Sequence, residues 1–206
     1  MLSLPAASRA AHLWRVQPWL LALCMALPLA APVPWHAAHA VAAADAGGGG
    51  GSVERGVKAA FLYKFLGYVE FPAPQPEAGA PYVVGVAGAD DIAAELNRIA
   101  VGRNVNGHPV VVRTLREGEP VGNLQLLFIG SAESARAAAL LRAAQQSNVL
   151  TVTEGPNGLQ AGSVINFRLV DDRIRFEVSL EAAEKSNLKL SSRLLSVAYA
   201  VQKGGS

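Results

Sequence analysis

His108 is the only histidine beyond residue 40, and Cys24 is the only cysteine in the 206-residue chain. A Ser/His/Asp relay needs an imidazole held beside an activated hydroxyl, and no nucleophile elbow accompanies His108. A His-rich metal site cannot be assembled from one imidazole. The setting Asn106-Gly107-His108-Pro109 reads as a turn, which leaves His108 expected as exposed and idle. Gly85 and Gly88 with Asp90-Asp91 look like the opening of a nucleotide-binding turn, but the G-x-G-x-x-G spacing is absent and a tight turn accounts for them. Gly130-Ser131 puts a hydroxyl where a helix should begin, either to hold an anion or to cap the helix. The carboxylates are scattered, and the pair Asp171-Asp172 has turn character. A hydrolase therefore rests only on carboxylates that folding would have to bring together. No cofactor is expected.

Two arginines stand apart from this, because the hairpin that positions them fixes its own register. If Asp171-Asp172 form a two-residue turn, Leu169 falls opposite Ile174, Phe167 opposite Phe176 and Ile165 opposite Val178. These six form a core face, each worth roughly 1.5–3 kcal/mol of gross transfer energy when buried. A slip of one residue would turn all of them to solvent. The other face then carries Asn166 opposite Glu177 and Arg168 opposite Arg175, a polar surface on which two cations meet. Arg168, Arg175, Asn166 and Glu177 are the candidate partner-binding residues, suited to an acidic partner or a small anion. Diagonal pairing of an arginine with Glu177 is the plainer alternative.

The first forty residues read as a secretory signal. Arg9 and Arg15 give a basic start, Trp19 to Ala31 an apolar run too short for a bilayer, and Ala38-His39-Ala40 an A-x-A cleavage pattern before Val41. Prolines 28, 32 and 34 break the helix that an uncleaved anchor would need. Cys24 follows Leu23 in mid-run, which is the wrong place for a lipobox. Export would remove Cys24 and so exclude both a disulfide framework and a thiol nucleophile. It would also remove Arg9 and Arg15 and none of the 16 acidic residues, cancelling the formal charge of +2. A neutral mature chain without a basic aromatic patch is not a nucleic-acid binder.

Residues 41–52, Ala-rich and then a run of glycines, read as a flexible leader before one domain over residues 53–203. Apolar residues at Val57, Phe61, Phe65 and Tyr68 predict a helix from Val57 to Val69, ended by Phe71-Pro72. Short apolar runs at Tyr82–Ala87, Val110–Thr114, Leu124–Ile129 and Val149–Val152 predict strands. Between them, helices are expected from Asp90 through Ile99 and from Ser131 to Gln145, the second capped by Ser131. After the hairpin come a short helix over Leu180–Ser186, an extended piece at Leu188–Leu190, and a last helix capped by Ser191 and running through Val201. This alternation is α/β: a mixed, mainly parallel sheet flanked by helices, with a C-terminal antiparallel hairpin.

The stretches Val57–Phe65 and Tyr68-Val69-Glu70-Phe71-Pro72 are similar to the opening helix and aromatic-Pro stop of the YfiR-like periplasmic proteins. Val149–Val152, Gly162–Phe167, Arg173–Val178 and Leu188–Leu195 resemble that family's C-terminal signature, in the same order. The resemblance covers Val57 to Ala200. It implies a periplasmic, non-catalytic regulator that binds and inhibits the periplasmic part of an inner-membrane signalling protein, a diguanylate cyclase. It also implies an outer-membrane lipoprotein that sequesters the regulator, and it leaves a homodimer open. The family's namesake carries disulfide-forming cysteines, whereas the chain beyond Val41 has none. A periplasmic small-ligand-binding domain, using the crevice beyond the strand ends, is the alternative reading.

Overall fold

Side chains at two-residue spacing sort onto opposite faces of a strand, and here each face has its own core. A computed structural model describes residues 48–73 and 76–204. In β2 (Tyr82–Ala87) and β5 (Leu126–Ile129), Val84, Val86, Leu126 and Phe128 turn to one face and Ala87, Leu127 and Ile129 to the other. Helices α1 (Gly48–Phe65) and α2 (Asp90–Ala100) cover the first face, and α3 (Ala137–Gln146) closes the second through Leu140, Leu141 and Ala144.

The remaining strands are β1 (Val69–Glu70), β3 (Asn104–Val105), β4 (His108–Thr114), β6 (Leu150–Glu154), β7 (Ile165–Val170), β8 (Arg173–Ser179), β9 (Lys189–Leu190) and β10 (Ala200–Gln202). An eight-stranded sheet has the order β10-β8-β7-β6-β5-β2-β4-β3. Its central run from β4 through β7 is parallel. The β7/β8 hairpin is antiparallel, as is β3 with β4, while β10 lies parallel to β8. The fold is the mainly parallel α/β sheet with an antiparallel C-terminal hairpin that the sequence predicts. Helices α4 (Leu180–Lys185) and α5 (Ser192–Val197) follow the hairpin, and Ser191 caps α5 by accepting from the Leu194 N–H at 3.2 Å.

The hairpin register agrees pair for pair with the sequence reading, with Arg168 facing Arg175 and Phe167 facing Phe176. Asp171 and Asp172 take φ of 48° and 55°, the left-handed pair that a two-residue turn requires. Burial fades toward the tip. Ile165, Phe167, Phe176 and Val178 are buried and Ile174 is half-buried, but Leu169 is 61% exposed, because a cleft opens between the tip and α1.

Several boundaries differ from the expectation. Helix α1 begins at Gly48, inside the stretch read as a flexible leader. Nothing packs on Gly50 or Gly51, so this start is propagation from the helix body rather than tertiary contact. It ends at Phe65 rather than Val69, because Val69 and Glu70 pair with Leu190 and Lys189 in a separate two-stranded sheet. The last helix stops at Val197, and Ala200–Gln202 instead adds to the sheet beside β8. The helix expected from Ser131 is split into a 3-10 turn at Ser131–Glu133 and α3 from Ala137. His108 is buried rather than exposed: its ring stacks on Tyr82 at 4.3 Å, and Nδ1 donates to the Ala80 carbonyl at 2.7 Å.

Candidate functional site

Parallel α/β sheets usually bind ligands where the crossovers part to opposite faces, beyond the carboxyl ends of the strands. In this chain that point lies between β2 and β5, where the loops after the two strands meet beside an open cleft of about 690 Å³ lined by Gly88, Asp90, Arg116, Glu133 and Arg136. A Cβ on Gly130 would stand 2.6 Å from the Gly88 carbonyl oxygen, so the two strand-end loops touch directly. Gly88, at φ 68°, packs against Glu133. The positive φ of Gly88 is that of the tight turn expected from the sequence.

A second open crevice lies further along the sheet, above β6 and the hairpin. It is a cleft of about 480 Å³ bounded by Glu54 and Lys58 of α1, Ser131, Glu154 at the end of β6, and Arg168, Leu169 and Ile174 of the hairpin. Lys58 reaches it from the buried side of α1, only 9% exposed. Its ammonium donates to Glu154 Oε2 at 2.5 Å and lies 2.6 Å from Glu54 Oε1. The other Glu154 oxygen accepts from the Ser131 N–H at 3.0 Å. Ser131 is expected from the sequence to open and cap a helix or hold an anion through its hydroxyl; no side-chain cap bond forms there, and its N–H meets a carboxylate of the protein itself.

Burial works against the charge on Lys58, but the hydrogen bonds and charges of Glu154 and Glu54 outweigh it and hold the ammonium above its ordinary value of 10.5. A lysine nucleophile or general base needs the opposite shift. Lys58 thus ties α1 to the β6 end rather than supplying a base. Beside this charged side, Leu169 and Ile174 offer an apolar shelf, so the cleft combines fixed charge with exposed hydrocarbon, a pairing suited to recognition. Among the described residues, no group of three or more His, Cys, Asp and Glu could hold a metal ion.

The four hairpin candidates separate. Arg168 borders the cleft and donates to Glu177 Oε1 at 3.4 Å, the diagonal pair that was the plainer alternative. Arg175 faces Arg168 across the ladder and is exposed. Asn166 corrects the expectation of an open polar face. It is 1% exposed beneath the loop after β6, where Oδ1 accepts from Thr153 Oγ1 at 2.9 Å and Nδ2 donates to the Gly155 carbonyl at 2.9 Å. A Cβ on Gly158 would stand 2.2 Å from that oxygen, so the loop lies directly on the side chain. Ala38, Ala40 and Val41 lie outside the described residues.

Lys58 and Glu154 escaped the sequence reading. The signal available was a lysine beside an apolar stripe, four residues after Glu54, together with a carboxylate ending a strand before Gly155-Pro156.

The family model described as YfiR/HmsC-like matches residues 55–199, which takes in α1 from Arg55 onward and the elements from β1 to α5, the hairpin included. The chain belongs to the YfiR/HmsC-like family. A search among curated protein sequences finds no match. Among solved structures, a conserved domain protein from Vibrio cholerae is similar in fold, with a TM-score of 0.51 and 10% identity. The similarity covers 72% of this chain and 60% of that one, so the chain spans less than two thirds of the Vibrio protein's length. A Streptococcus pneumoniae ABC domain in complex with L-Trp has a TM-score of 0.43 and 7% identity over 59% of this chain and 55% of that one, too loose a likeness to carry an argument. Among the described residues, no helix of this YfiR/HmsC-like chain is long and apolar enough to cross a membrane.

Proposed function

We propose that the chain is a non-catalytic periplasmic regulator that binds and inhibits the periplasmic part of an inner-membrane signalling protein, a diguanylate cyclase that makes c-di-GMP. The observation that carries this reading is the family match over residues 55–199. The basic-apolar-A-x-A start supports export, with cleavage before Val41 and a short leader ahead of the domain. On the hairpin, Arg168 and Arg175 present a cationic outer face that suits an acidic partner, with the 61%-exposed Leu169 on the opposite face. With no cysteine beyond Val41, release follows from competition by a second partner, an outer-membrane lipoprotein that sequesters the regulator by mass action.

Affinity capture from membranes with wild-type protein and with Arg168→Glu/Arg175→Glu tests the reading. The double variant should melt within a few degrees of wild type, because exposed substitutions usually cost less than about 0.5 kcal/mol, yet capture the cyclase at least about ten-fold less well. Equal capture at physiological salt would clear the hairpin of a role, and absence of any cyclase from the wild-type capture would reject the regulator reading.

The cleft beside Lys58 supports a second reading, a small-ligand sensor, since about 480 Å³ lies within the usual ligand-pocket range of roughly 300–1,000 Å³. Thermal shifts with small anions, zwitterions and nucleotides separate the two, because only a sensor gains stability from a small molecule alone.

A further inference from the structure

An apolar groove lies along the same stripe of α1 as Lys58, toward the helix's C-terminal end. It holds about 310 Å³ and is walled by Phe61 and Phe65 of α1, Tyr68 just beyond it, Phe176 of β8, and Leu194 and Val197 of α5. Val197 is 61% exposed, and beyond it along the chain Tyr199 is 57% exposed and Val201, on the edge strand β10, 36%. An apolar groove bordered by exposed large apolar side chains is the kind of surface that marks an interaction site. Two cations, Lys64 and Arg193, also line the groove, and among the described residues no carboxylate pairs with either.

These charges decide what fits. A second copy laid groove to groove would bring four cations together over desolvated surface, a like-charge penalty of the kind that interfaces avoid. A small anionic amphiphile could satisfy Lys64 and Arg193, but it would leave Tyr199 and Val201, which lie outside the groove, in water. We infer that the groove between α1 and α5 docks a segment of a protein partner whose apolar residues are bracketed by aspartate or glutamate. Its side chains fill the aromatic groove and cover the rim toward β10, and its carboxylates meet Lys64 and Arg193. This rests on the reading of the chain as a regulator that works by binding a membrane protein, and it adds a contact surface distinct from the hairpin arginines.

Photocrosslinking of the full chain in the periplasm tests it, with p-benzoylphenylalanine placed at Val197, at Arg175, or at the exposed control Val101. The groove position should link to a membrane-protein segment in which acidic residues flank apolar ones. Lys64→Glu/Arg193→Glu should lower that yield at least about ten-fold while leaving the melting temperature within a few degrees of wild type. Links from Arg175 without links from Val197 would overturn the groove and leave the regulator reading standing. A Val197 link to another copy of this chain, or to a segment without carboxylates, would overturn it as well. If neither position linked to a membrane protein, the groove and the regulator reading would fall together.

Discussion

The Lys58 ammonium lies 2.5 Å from Glu154 Oε2, joining residues 96 apart in sequence and fastening the first helix to the end of β6. Both side chains are largely buried, at 11% and 17% exposure, so neither charge is well served by water if its partner is removed. Lys58→Met should therefore destabilise the domain by about 2–3 kcal/mol, below the usual range for fully buried pairs because some solvent still reaches Glu154. Urea unfolding at neutral pH measures it.

The same pair sets an alkaline limit. Lys58 titrates above its ordinary 10.5 in the folded protein, so the stabilisation is fully present below that pH and fades as pH rises through the raised value. The stability gap between wild type and Lys58→Met should be constant from pH 7 to 10 and shrink above 10.5. A gap unchanged at high pH would mean that the pair contributes through packing rather than charge.

Asn166 and Gly158 form one steric and polar unit. A methyl group at Gly158 would sit 2.1 Å from Thr153 Oγ1 and 2.2 Å from Asn166 Oδ1, so Gly158→Ala should cost about 1–3 kcal/mol by overpacking. Asn166→Ala should cost a similar amount by leaving the Gly155 carbonyl without its donor. The double variant should cost less than the sum, since removing the amide makes room for the methyl. Thermal melting of the three proteins checks this, and strict additivity would show that the loop does not rest on Asn166.

Phe176 is 2% exposed, with its ring 5.0 Å from Phe65 and 5.5 Å from Phe61. Phe176→Asp should unfold the domain, losing a packed aromatic and burying a lone carboxylate for more than about 4 kcal/mol. Circular dichroism with native secondary structure and an unshifted melt would contradict the account of the core.

On the proposed export, secreted protein should begin at Val41 without Cys24, and dithiothreitol should then leave its melting temperature unchanged. Intact mass and a melt with and without reductant test the two together. A mass matching the whole chain, or a shift of several degrees with reductant, would show that Cys24 is retained.

Local pattern alone determined the α/β class, the strand at Tyr82–Ala87 and the hairpin register from Ile165 to Val178, because two-residue periodicity and the Asp171-Asp172 turn are written in adjacent residues. The Ser191 cap was legible for the same reason. Tertiary structure decided whatever depends on partners distant in the chain. Val69 left its expected helix for Leu190, and Ala200–Gln202 left another for β8. His108 went inside because Tyr82 and the Ala80 carbonyl were there to receive it. Asn166 was rightly placed on the outer face, but the loop through Gly158 folds over that face and turns a candidate contact into a buried bond. Periodicity assigns a side chain to a face, whereas coverage of that face depends on segments whose position is set by the free energy of the whole packed chain. For that reason the pairing of Lys58 with Glu154 appears only in three dimensions.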